Sequence, residues 1–176
     1  MNDESIIIGG LTIAGIAIFG YVGYKNVTDK KDGIKKLSIA GQIVSKETQI
    51  PLAFIVTQAA HESNYGRSGL AVKSNNLFGI KAGSSWVGRF DTWPTYEVIG
   101  GKEVQVQAKF RKYSSWTESV RDWAELIMRR YPKAYSAALD HDARTFFNEL
   151  QKGGYATDPS YASKLVGVYQ SIEALV

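Results

Sequence analysis

The segment Thr57–Gly66 reads TQAAHESNYG and sets one carboxyl, Glu62, near the end of an otherwise apolar run. Helical spacing puts Ile55, Gln58 and Ala59 on the same side as Glu62. A carboxyl so placed is partly desolvated and close to the negative end of the helix dipole. Both effects disfavour the charged form and raise its pKa. An acid that keeps its proton near neutral pH can give it to a departing oxygen, which is general acid catalysis. Position alone leaves a solvated helix-end glutamate as the commoner outcome, because most glutamates face water. Other chemistries are narrower still. The chain has no cysteine, which excludes thiol nucleophiles, thiolate metal sites and disulfides. Its two histidines, His61 and His141, lie far apart, so no metal site is expected and neither is a cofactor. The glycines between Gly9 and Gly23 sit inside an apolar stretch and form no phosphate cradle.

The elements that would hold Glu62 can be read from periodicity and caps. Ile34, Leu37, Ala40 and Val44 make an apolar stripe to about Lys46. Pro51 opens a second helix that runs through about Ser63. Gly66–Gly83 reads as loop with short helical turns. Arg89–Val98 and Glu103–Tyr113 are rich in β-formers and flank Gly100-Gly101, which predicts a β-hairpin. Ser115 and Glu118 form a capping-box pair ahead of a helix to about Arg130. A further helix is expected over Asp142–Lys152. The last should begin with Asp158 as N-cap and Pro159 at the first helical position, ending near Ala174. Trp116 and Trp123, seven apart on one helix, read as core. The predicted class is mainly α (α+β), helical with one small hairpin.

Three units are expected along the chain. Ser5–Tyr24 carries no charge and is as long as a bilayer-spanning helix requires, so residues 1–25 are expected to be a transmembrane anchor. Asn2, Asp3 and Glu4 before it do not suit the positive start of a cleaved signal peptide. Residues 26–33 read as a polar linker and 34–176 as the folded domain. Five lysines follow the apolar run, a bias that would keep that side in a cytoplasm. The formal net charge of +4 suits an anionic polymer or membrane surface and is too small to argue for nucleic acid.

Four segments in order, TQAAHESNYG, SNNLFGIKA, KFRKYSSWTES and GGYATDPSYASKL, resemble glycoside hydrolase family 73 over about Leu37–Val176. Members are bacterial and phage N-acetylglucosaminidases, among them flagellar and autolysin enzymes. The resemblance implies a lysozyme-like, α-rich fold with a cleft between a helical lobe and the hairpin. It implies cleavage of the β-1,4 bond after N-acetylglucosamine in the peptidoglycan glycan strand. By motif, Glu62 would be the general acid. The family's hairpin carboxylate falls on Glu97, with Glu103 a near alternative, to activate water or stabilise an oxocarbenium-like transition state. Tyr155 would contact the sugar near the scissile bond. Asn75, Asn76, Leu77, Phe78 and Gly79 would line the cleft floor. Trp86, Trp93, Tyr96 and Tyr65, in or beside the hairpin and loops, are candidate flat faces for sugar rings.

Three functions remain open on the sequence. The first is a membrane-anchored N-acetylglucosaminidase. The second is a lytic transglycosylase or muramidase on the same fold, and the third a non-catalytic glycan-binding or virion structural module. Two placements reconcile the lysine bias with a cell-wall substrate. Either the domain is translocated to the wall side of a bacterial inner membrane, or the membrane belongs to a lipid-containing virion, where other virion proteins would be neighbours.

Overall fold

The computed structural model describes residues 27–99 and 102–176. The apolar stretch 5–24, expected as the anchor, and the Gly100-Gly101 turn lie outside the described residues. Among the described residues, no helix is long and apolar enough to cross a membrane.

Helix α1 spans Lys30–Thr48 and so begins inside the stretch read as linker. Asp29 starts it early, accepting a hydrogen bond from the Asp32 amide at 2.9 Å. Gly33 in its first turn packs on the residues just after Glu62, where an added Cβ would sit 2.5 Å from the Tyr65 carbonyl oxygen. Helix α2, Leu52–Ser63, follows Pro51 as its cap. Every residue from Phe54 to Ala60 is buried, as is Ser63, so α2 is a central helix without a solvent stripe. It ends abruptly, with Asn64 at φ 51°, Tyr65 at φ 60° and Gly66 at φ 80°. Gly66 is required there twice over, by its left-handed backbone and by the Trp116 ring, which an added Cβ would meet at 2.3 Å. Gly66→Ala is therefore expected to destabilise the fold by about 2–4 kcal/mol, read as a lower urea midpoint. An unchanged midpoint would mean that the turn relaxes freely.

Helix α3, Gly69–Lys73, leads into the antiparallel hairpin of β1, Phe90–Ile99, and β2, Lys102–Arg111. In its register Glu97 lies opposite Val104, and Glu103 opposite Val98. Helices α4, Trp116–Arg130, α5, Pro132–Leu139, α6, Ala143–Lys152, and α7, Tyr161–Ile172, complete the domain, with a closing 3-10 turn at Glu173–Leu175. Helix α5 is short and small-residue, with Pro132 opening it and Ala134, Ala137 and Ala138 buried, and the apolar stripe gives no warning of it. Ser115 caps α4 as expected, but the Glu118 carboxylate returns to the Ser114 amide and not to Ser115.

The expected start of α7 is corrected. Its cap is Ser160, because the Asp158 carboxylate accepts from the Ser160 amide at 2.8 Å and pairs with Lys164, holding Asp158–Ser160 as a turn. The core joins these helices. Phe54 of α2 meets Phe146 at 5.1 Å and Phe147 at 5.9 Å, and Phe78 stacks on Trp123 at 4.9 Å. The architecture is the helical domain with one small hairpin expected from the sequence.

Candidate active site

Glu62 sits in the last turn of α2, half-buried. The turns beneath it, Phe54–Ala60, are buried, so water has poor access to the carboxyl. Burial raises its pKa to about 7, and a hydrogen bond from Tyr161 opposes that rise. The Tyr161 hydroxyl donates to Oε1 of Glu62 at 2.6 Å. The Gln58 side-chain amide in turn donates to the Tyr161 oxygen at 2.8 Å. Because that amide occupies the tyrosine oxygen, Tyr161 spends its proton on Oε1. The acid proton of Glu62 is left to the other oxygen, Oε2. A carboxylic acid with one oxygen held and the other carrying a proton is arranged for donation.

Two rings wall this group. Tyr155 stacks on Tyr161 with centroids 5.7 Å apart, and its hydroxyl accepts from the Trp123 indole N–H at 3.1 Å. Burial drives the hydroxyl pKa values of both tyrosines well above the ordinary range, and the neighbouring Glu62 adds to each. Neither is a proton source for catalysis near neutral pH. His61 crosses Tyr161 edge-on at 5.6 Å, and burial, with Lys164 nearby, lowers its pKa.

Of these partners, helical spacing puts Gln58 beside Glu62, whereas sequence reasoning misses Tyr161. Its signal was its place in the GGYATDPSYASKL segment, six residues after Tyr155. Tyr161→Phe removes the donor to Oε1 and should raise the Glu62 pKa further. The alkaline limb of the pH–activity profile is then expected to move to higher pH. An unmoved limb would detach Tyr161 from the titration of Glu62.

Glu97 is held by a partner outside this cluster. Strand alternation puts Asp91, Trp93, Thr95 and Glu97 on one face of β1. That face turns to the segment after α3: Asp91 accepts from the Ser74 hydroxyl at 2.8 Å, Trp93 donates to it at 3.3 Å, and Glu97 pairs with Lys81 at 2.7 Å. Glu103 is exposed and falls on the opposite face of the hairpin. Glu97 makes no hydrogen bond or ion pair with the Glu62 cluster among the described residues.

The remaining candidates divide by exposure. Asn76, Phe78 and Tyr155 are each 1% exposed, so none presents a surface to a ligand in this form. They are expected to line the cleft or touch a sugar, and here all three are covered. Asn76 braces the turn, its amide donating to the carbonyls of Ile80 and Arg111 and its oxygen accepting from the Ile80 amide. Leu77 is fully buried, and Gly79 takes a left-handed turn at φ 64°. Asn75, at φ 51°, donates to the Tyr113 carbonyl at 3.0 Å. Trp93 is partly buried, packs on Gly69 and lies 5.5 Å beneath the Lys73 ammonium. Tyr65 faces the start of α1, its ring flanked by Lys30 at 5.1 Å and Arg67 at 6.0 Å. Trp86 stacks under Arg111 at 4.4 Å, and Tyr96 is exposed on the outer face of the hairpin. Among the described residues, no three His, Asp or Glu side chains gather as a metal-binding group.

The comparisons with known proteins agree with this arrangement. The family model described as mannosyl-glycoprotein endo-beta-N-acetylglucosaminidase matches residues 39–174. The peptidoglycan hydrolase FlgJ of Salmonella typhimurium is 37% identical over 153 residues, which cover 84% of this chain and 48% of that protein. The exo-glucosaminidase LytG of Bacillus subtilis is 35% identical over 156 residues, covering 85% of this chain and 54% of that protein. The chain thus spans about half the length of these curated relatives. Among solved structures, a C-terminally truncated glycoside hydrolase domain of Salmonella typhimurium FlgJ superposes with a TM-score of 0.69 at 36% identity, over 84% of this chain and 100% of that one. The catalytic domain of the Listeria monocytogenes autolysin Auto gives a TM-score of 0.70 at 32% identity, over 91% of each chain. With a family match across most of the folded residues and a mainly helical fold shared with solved glycoside hydrolase domains, the chain belongs to the glucosaminidases of glycoside hydrolase family 73.

Proposed function

We propose that this chain is a membrane-tethered peptidoglycan hydrolase that cuts the β-1,4 bond after N-acetylglucosamine in the glycan strand. One observation carries the reading. Glu62 is held by Tyr161 at the end of a buried helix, with a pKa raised to about 7. It protonates the departing sugar oxygen as the glycosidic bond breaks. The Tyr161 hydroxyl then steadies the carboxylate left behind, since a hydrogen bond to the charged form favours it. Glu97, on the inward face of the hairpin and paired with Lys81, serves as the second carboxylate. Tyr155, Asn76 and Phe78 act by positioning: Tyr155 buttresses Tyr161, while Asn76 and Phe78 hold the turn that carries Lys81. Asn75, Trp93 and Tyr65 are the candidate surfaces for the sugars that flank the cut.

Residues 5–24 tether the domain to a bilayer. The lysines that follow them fit either a domain translocated to the wall or the internal membrane of a virion, where other virion proteins are neighbours. Detection of the protein in purified virions supports the second placement. Its confinement to a host inner membrane with the domain outward removes it.

Mass spectrometry of digested peptidoglycan tests the activity. Reducing N-acetylglucosamine ends are expected. Anhydro-muramyl ends would mark a lytic transglycosylase, and no new ends a binding module. Glu97→Gln should lower the rate by about 10²-fold, the lower end for a general acid or base. Glu103→Gln, on the other face, should leave it unchanged. The reverse ranking would move the second role to Glu103.

A further inference from the structure

The outward face of α1 combines features that are seldom left open to water. Lys31, Lys35, Ile39, Gln42 and Lys46 follow one another at three or four residues, so they share one stripe, and all are exposed. Ile39 is 67% exposed, and Ile43 beside it 55%. Leu175 of the closing turn, 58% exposed, joins Ile39 and Lys35 at a groove of about 650 Å³. The nearby acids are engaged elsewhere. Asp29 caps α1, Asp32 pairs with Lys36 at 2.9 Å, and Glu47 pairs with Arg121 at 3.2 Å. Lys31, Lys35 and Lys46 take part in no ion pair among the described residues.

Bare isoleucines between lysines suit the boundary between acyl chains and anionic headgroups. The apolar tips enter the boundary while the ammonium groups stay at headgroup level. Reach points the same way. Asp29, at the rim of the groove, is five residues beyond Tyr24, the end of the uncharged stretch, so even a fully extended chain puts it within about 18 Å. A bilayer that holds residues 5–24 is therefore never far from α1. A second copy of the chain fits less well, since a symmetric contact would set these lysines against one another, while the groove's two acids are already taken up, Asp29 in capping α1 and Asp32 with Lys36.

We propose that this face of α1, with Leu175, docks on the surface of an anionic bilayer, the one that residues 5–24 enter. The proposal rests on the tether reading given above.

The chain has no cysteine, so a single one can carry a probe. Ile39→Cys and Val87→Cys, the latter 100% exposed and outside the groove, are labelled in the full chain with an environment-sensitive dye. Each is reconstituted into vesicles of phosphatidylcholine, with and without phosphatidylglycerol. With phosphatidylglycerol, the dye at 39 should shift to the blue and be quenched by spin-labelled acyl chains, while the dye at 87 stays wet. Changing Lys31, Lys35 and Lys46 to Gln together should abolish the shift. If protein floats with the vesicles but the dye at 39 stays as wet as at 87, the tether stands and the docking is overturned. If protein floats with neither vesicle, the tether fails and the docking with it. Shielding at 39 that appears in detergent and grows with protein concentration would assign the face to a second copy, which also overturns the lipid.

Discussion

Glu62→Gln is expected to slow peptidoglycan cleavage by about 10²–10⁴-fold, the range for losing a positioned general acid. Gln keeps the shape of the side chain, and its carbonyl can still accept the Tyr161 hydroxyl that now reaches Oε1. What it lacks is the transferable proton. The loss should therefore fall on turnover more than on binding, because the proton moves only as the bond breaks. Release of soluble glycan fragments by purified wild type and variant, at matched concentration, gives the ratio. Equal release would end the catalytic assignment.

The same substitution should stabilise the protein in alkaline solution. Glu62 titrates near 4.5 when unfolded and at about 7 when folded. Between those values the native state holds the proton that the unfolded chain has released. Stability therefore falls as pH rises through that window and levels off above it. The loss is about 3 kcal/mol for a shift of this size. Gln has no proton to lose. The stability of Glu62→Gln relative to wild type should grow by about 3 kcal/mol from about pH 4 to about pH 8, as read by urea denaturation at each pH. A difference that stays flat with pH would mean that Glu62 is not held protonated by the fold. Loss of turnover together with gain of alkaline stability would be the pattern of an acid kept at the expense of the fold.

How much of this the sequence discloses follows from the range of each interaction. Glu62 and Gln58 are one helical turn apart, so helical spacing alone puts them together. The hairpin and the opening of α2 at Pro51 are likewise local, set by turn chemistry and by the fixed φ of proline. Tyr161 is 99 residues from Glu62 and reaches it only because α7 packs along α2. No local pattern encodes that meeting. The start of α7 departs from the local expectation for a similar reason. Asp158 and Pro159 make a good helix opening in isolation, but Lys164 draws the carboxylate into a turn. The choice between Glu97 and Glu103 needed the register. Strand parity separates them at once, but the sequence could not supply the partner that makes one face inward, the Lys81 pair at 2.7 Å. Burial changed the meaning of the motif residues most. Asn76 and Phe78 belong to a segment that resembles a cleft floor, yet both are buried, and Asn76 spends its side chain on the carbonyls of Ile80 and Arg111.

The most direct test is to titrate Glu62 itself. Glutamate labelled with ¹³C at the side-chain carboxyl gives a signal for each residue, and the one missing from Glu62→Gln identifies position 62. A midpoint near 7 in the folded protein is the result expected. A midpoint in the ordinary glutamate range, near 4.5, would leave no retained proton for the departing sugar oxygen and would contradict the mechanism.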